Sequence, residues 1–252
     1  MQNWKRRLRA SGIHAGISLF VAILAGVLVF VLWYPYPYGD ISGGRNLFLL
    51  VASVDAVMGP LLTLIIFNQA KPRRELVTDL AIVGVLQMAA LSYGLWTVFT
   101  ARPVHLVFEY SRMSVVHAAD VDPKLLTMAP ASMQNLPITG PTPIALRPFK
   151  NAAEQFDATM AALGGAPLAA RGDLWQPYAQ SRAEILKESR PASELNARFA
   201  THAALIDAAV GKTGRSMDQV RYLPLVGREN AWTVLLDATT ADPVGFLPLD
   251  SF

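Results

Sequence analysis

Three long apolar runs open the chain, each separated from the next by a short polar stretch. They cover residues 13–33, 47–67 and 80–100, and each meets the roughly 20 residues of helix that a bilayer core requires. No comparable run follows residue 100. The pattern therefore predicts a basic N-terminal segment over residues 1–12, a three-span transmembrane domain over residues 13–100 and a separate domain over residues 101–252.

After residue 100 the periodicity shortens. Residues 104–110 (VHLVFEY) and 113–118 (MSVVHA) are rich in β-formers and predict a hairpin turning at Ser111 and Arg112. Residues 122–147 hold Pro123, Pro130, Pro137, Pro141 and Pro143, which predicts an irregular, extended connection. Residues 151–163 place Ala153, Phe156, Met160 and Leu163 at helical spacing, and Gly164 and Gly165 stop that helix. Two more helices are predicted over 176–188 and 193–210, with Ser193 as N-cap and Leu195, Phe199, Ala203 and Ile206 along one stripe. Strands follow over 221–226, 231–236 and 244–249. The predicted fold is an α-helical membrane protein with three transmembrane helices and a C-terminal α+β extracytoplasmic domain built on a small antiparallel sheet.

Charge gives the spans a direction. Lys5, Arg6, Arg7 and Arg9 precede the first run, and Lys71, Arg73 and Arg74 lie between the second and third. The segment between the first two runs holds only Arg45. Positive residues stay on the cytoplasmic side, so the N-terminus is expected in the cytoplasm and the C-terminal domain outside, in the periplasm of a bacterium. Trp33, Tyr34, Tyr36 and Tyr38 mark the outer interface of the first span, where Pro35 and Pro37 predict a stiff extended turn. The first run ends in Leu32-Trp33-Tyr34-Pro35, without the small residues of a signal-peptidase site, so it reads as an uncleaved span.

Composition removes several classes. Charged residues make up 16% of the chain, against roughly 25% in soluble domains. Cysteine is absent, which excludes disulfides and thiolate chemistry. A net charge of +3 gives no case for nucleic acid. His105, His117 and His202 lack metal-ligand spacing, and no nucleophile elbow or phosphate-binding loop occurs, so no enzyme, metal or cofactor is expected.

One polar group stands inside the second run. Asp55 sits eight residues past Leu47, followed by Gly59 and Pro60. A mid-membrane aspartate costs about 2.5–3.5 kcal/mol on the insertion scale, so it must face protein or water. Proline also frees the carbonyl four residues before it. Gln87 and Tyr93 of the third run fall at comparable depth. The notch of Asp55, Gly59, Pro60, Gln87 and Tyr93 either glues the second and third spans or docks another membrane helix. A proton or ion path is a third reading, for which three spans leave little room.

The segments GIHAGISLF, LWYPYPYGDISGG and VDAVMGPLLTLIIF, with the third run and first hairpin, resemble the TfpX/TfpZ family of type IV pilin accessory proteins. The resemblance covers residues 11–118 and includes Tyr34-Pro35 in the outer loop, the Asp55/Gly59/Pro60 motif and Gln87. It implies an inner-membrane helper that supports assembly of a cognate type IV pilin, binding or chaperoning it in the bilayer and periplasm. The implied partners are the major type IV pilin, the lipid bilayer and other pilus assembly proteins. The alternative is a membrane sensor or regulatory subunit with a periplasmic ligand-binding domain.

Overall fold

A computed structural model describes residues 2–67 and 71–252; residues 68–70, within the predicted connection between the second and third spans, lie outside them. The described chain divides into two units, one of residues 1–39 and 43–101 and one of residues 40–42 and 102–252.

The first unit is helical. Helix α1 (Gln2–Val27) passes into a π-helical segment, Leu28–Trp33. Helix α3 (Gly44–Ile66) and helix α4 (Arg73–Thr100) follow; the four-residue α2 (Tyr38–Ile41) precedes them and ends in Asp40 and Ile41 of the second unit. Among the described residues, three helices are long and apolar enough to cross a membrane: Trp4–Trp33, Gly44–Ile66 and Arg73–Thr100. Helices α1 and α4 start well before the apolar runs, because their basic first turns favour helix and carry no hydropathy signal. The turn after Trp33 is compact rather than extended: the Tyr38 N–H donates to the Pro35 carbonyl at 2.8 Å and α2 follows at once. Ala25, Val29, Tyr34, Phe48 and Val98 form the buried core of this unit.

The second unit is α+β. Strands β1 (Pro103–Glu109) and β2 (Arg112–His117) form the predicted hairpin, with Tyr110 at φ 60° in its turn. The proline-rich stretch is more ordered than expected. It holds a short helix α5 (Pro123–Leu126), capped by Asp122, and a strand β3 (Thr142–Leu146) that pairs in parallel with β1. Helix α6 (Ala152–Leu163) is capped by Asn151, whose side chain accepts the Glu154 N–H at 2.9 Å.

The predicted helix 176–188 is instead strand β4 (Trp175–Pro177), a 3₁₀ turn and helix α7 (Arg182–Glu188). Beyond β5 (Arg190–Pro191), the predicted helix 193–210 breaks at Phe199 into α8 (Ser193–Arg198) and α9 (Ala203–Lys212). Ala192, not Ser193, holds the N-cap position of α8. Strands β6 (Val220–Val226), β7 (Ala231–Asp237) and β8 (Pro243–Leu247) complete the fold.

These strands make one eight-stranded sheet in the order β4-β3-β1-β2-β6-β7-β8, with β5 beside β6. The sheet is mixed and larger than the pattern implied, since β1–β3 and β2–β6 pair in parallel. Such pairs need long crossovers, which local alternation cannot reveal. One core packs Val107, Leu146, Leu174 and Trp175; another packs Leu195, Ile206, Tyr222 and Leu235. On α6 the buried residue is Ala158, while Phe156, Met160 and Leu163 are 64%, 51% and 78% exposed. The apolar stripe of that helix thus faces outward.

Two carboxylates give this unit a defined acid response. Arg147 holds the Glu154 carboxyl at about 2, helped by the Lys150 N–H. The N–H groups of Thr240 and Thr239, then Arg215, hold Asp237 at about 2. A carboxyl depressed in the folded state stabilises above its unfolded pKa and stops doing so as pH falls through the folded value. Thermal unfolding of the full chain in detergent is therefore expected to stay flat above about pH 7, to weaken first between about pH 6.5 and 4, where the unfolded chain protonates a histidine, His105, whose pKa burial lowers to about 4, and to weaken further between about pH 4.5 and 2 as these carboxyls protonate. Glu154→Gln should be less stable at neutral pH and show a shallower acid limb. An unchanged limb would remove this pair from the account.

Candidate functional site

Asp55 lies at the midpoint of α3, eleven residues from both Gly44 and Ile66. That is roughly 16 Å from either end at 1.5 Å per residue, deeper than the sequence arithmetic placed it. The Gln87 amide reaches it from α4: Nε2 donates to Asp55 Oδ1 at 3.0 Å, with a longer contact of 3.3 Å to the Asp55 carbonyl.

Gly59 makes that approach possible. A Cβ there would stand 2.0 Å from Gln87 Nε2, so the amide occupies the space a side chain would take. Pro60 lies inside the helix, and its carbonyl accepts the Ser11 hydroxyl of α1 at 2.8 Å. One turn further on, His14 Nδ1 and Thr63 Oγ1 lie 2.5 Å apart, with Thr63 buried. The spacing along α3 gave no sign of these α1 partners, because the register of α1 on α3 depends on tertiary packing.

Tyr93 takes a different place. It is 69% exposed, packs near Trp96 at 6.0 Å and makes no hydrogen bond to Asp55. It does border the same groove as Asp55 and Gln87, a depression of about 500 Å³ between α3 and α4. The walls are apolar, with Leu50, Val54 and Met58 on one side and Leu86 and Ala90 on the other. Nearer the Thr100 end of α4, Gly94 meets Val51, and a Cβ there would stand 2.4 Å from Val51 Cγ1.

Tyr34 and Pro35 sit at the end of the π-helical segment. Tyr34 is 2% exposed, and its hydroxyl donates to the Val98 carbonyl of α4 at 3.1 Å. Gly44 opens α3 against the flat of that ring, where a Cβ would meet Cδ1 at 2.3 Å. Tyr34 is therefore a buried strut between helices, while Tyr36 beside it is 69% exposed.

The second unit offers a smaller chemical repertoire. His105 is buried against the edge of Trp175 and contacts Thr142 Oγ1 at 2.8 Å; burial lowers its pKa to about 4. His117 and Arg228 both bond the Asp120 carboxylate, at 3.2 and 2.7 Å. Burial opposes ionisation of Asp120, but those two partners hold its carboxyl below the ordinary range. Among the described residues no group of three or more His, Asp or Glu side chains could hold a metal ion.

Three helices long and apolar enough to cross a membrane, with a polar pair in an apolar groove, and a separate α+β unit in the same chain define a membrane protein. The comparisons give the family. Residues 2–43 match the model of the fimbrial assembly protein FimB family. The serogroup I fimbrial assembly protein of Dichelobacter nodosus is 34% identical over 234 residues, 91% of this chain and 90% of that protein. Its serogroup E1 counterpart is 33% identical over the same shares. The protein of serogroups C1 and C2 is 39% identical over 113 residues, 45% of this chain and 86% of its own length. The chain belongs to this family of fimbrial assembly proteins. No solved structure matches it.

Proposed function

We propose that this protein is an inner-membrane helper for assembly of a type IV fimbria, one that binds the fimbrial subunit and catalyses no reaction. The N-terminus lies in the cytoplasm and the α+β unit in the periplasm, as the basic residues around the spans favour. The subunit, a major type IV pilin by the resemblance above, is held in the bilayer by the helical unit and outside it by the globular one. The observation that carries the reading is similarity to proteins named for fimbrial assembly along 91% of the chain. The apolar groove between α3 and α4 supports that reading.

Two measurements test it. Deleting the gene in a fimbriate host should remove surface fimbriae, and supplying the intact chain in trans should restore them. A tagged chain extracted in mild detergent should bring down the fimbrial subunit and not an unrelated single-span protein. Normal fimbriation without the gene would end the proposal.

A further inference from the structure

Asp55 has two carboxylate oxygens, and the protein uses one. Oδ1 accepts from Gln87, while Oδ2 has no hydrogen bond or ion pair among the described residues. The residue is half-buried and lines the groove between α3 and α4, at the midpoint of a membrane-crossing helix. Around it stand Val54, Met58, Leu86 and Ala90.

Lipid cannot serve such an atom. Acyl chains offer no donor, and the core of a bilayer holds no water to replace one. Gluing α3 to α4 needs only the oxygen that Gln87 already takes. The spare oxygen borders the groove, and an N–H or O–H donor from outside the chain would satisfy it. Side-chain hydroxyl and amide groups are the donors that membrane helices use across their contacts.

The groove has the shape for a helix to bring that donor. On α3 its lining runs from Leu47 to Leu62, fifteen residues or roughly 22 Å of helix. On α4, Ala90, Gly94 and Thr97 keep its wall low, as small residues do where membrane helices pack closely.

We propose that this groove seats one apolar transmembrane helix of a second polypeptide, which places a single hydrogen-bond donor on Asp55 Oδ2. In terms of the function proposed above, on which this identification of the partner rests, that polypeptide is the fimbrial subunit. Asp55 is then a specificity-determining residue: a helix without a donor at that depth leaves the oxygen unpaired.

The test uses the full chain in its native membrane. A photo-crosslinking amino acid is placed at Val54 or Leu86 in the groove, or at Ile17 on α1 outside it, and products are identified by mass spectrometry. The groove positions should capture an apolar helix segment of the fimbrial subunit, and Ile17 should not. Asp55→Asn keeps an oxygen for Gln87 but replaces Oδ2 with a donor group. It should leave the protein's own level unchanged while capture falls about tenfold, the order of one hydrogen bond.

Capture of lipid alone, or of a second copy of this chain, overturns the proposal, as does equal capture by Asp55→Asn. Capture of a different membrane protein with the same Asp55 dependence keeps the site and removes the fimbrial identity of its occupant. Fimbriae lost on gene deletion without any groove capture keep the helper role and remove the site.

Discussion

Trp175→Ala is expected to lower the stability of the α+β unit by about 3–5 kcal/mol, the cost of deleting a buried aromatic side chain from a packed core. Trp175 is 2% exposed on the short strand β4. Its indole N–H donates to the Ala169 carbonyl at 2.8 Å, and the His105 ring meets its edge at 4.7 Å. It belongs to the core that joins β1, β3 and the 3₁₀ turn at Leu168–Ala170. Alanine would leave a cavity, an unpaired buried carbonyl and a buried histidine without its edge-on aromatic partner.

A small domain has only about 5–15 kcal/mol in total, so the loss is a large fraction of what holds the unit together. In thermal unfolding of the full chain the transition should fall by roughly 6–20 °C. Trp96→Ala serves as a control, since Trp96 is 60% exposed on α4. A drop of under about 2 °C for Trp175→Ala would show that β4 does not lock this core.

What could be read from the chain divides along a physical line. The spans were legible because lipid tolerates little besides long apolar helix, so solvent alone writes the pattern. The β1–β2 hairpin and strands β6, β7 and β8 were legible because their neighbours are adjacent in sequence. Strand β3 was not, since its partner is the nonlocal, parallel β1 and the surrounding prolines spell loop. Helix α6 shows the limit of periodicity: its stripe is real, but packing chose the face of Ala158. In the groove, depth arithmetic brought Asp55 and Gln87 together and put Tyr93 level with them. It could not tell which way Tyr93 turns, nor that Ser11, His14 and Thr63 tie α1 to α3. Depth is a property of one helix, whereas facing depends on how two helices are rotated.

Gly94→Leu is expected to have a large effect on the helical unit. A Cβ at Gly94 would lie 2.4 Å from Val51 Cγ1 and 2.9 Å from Cγ2, closer than such atoms approach one another. Val51 belongs to the wall of α3 and Gly94 is buried within α4, so the Val51 methyls must shift or the helices must part. Overpacking costs typically 1–3 kcal/mol and occasionally more, and a leucine adds three further carbons to the clash.

Forcing α3 from α4 at Gly94 should also lengthen the Gln87–Asp55 contact, because both contacts lie along one helix pair. The variant should accumulate in membranes at no more than about a tenth of the normal level. Gly84→Leu, on the same helix but with open space around its Cβ, should accumulate normally. Gly94→Ala should be intermediate, and adding Val51→Ala should restore it by removing the two methyl groups it strikes. Rescue by Val51→Ala ties the defect to the α3–α4 contact and separates it from helix propensity, which Gly→Ala in a helix improves. If Gly94→Leu and Gly84→Leu behave alike, the two helices do not meet at Val51, and the groove that depends on their spacing loses its support.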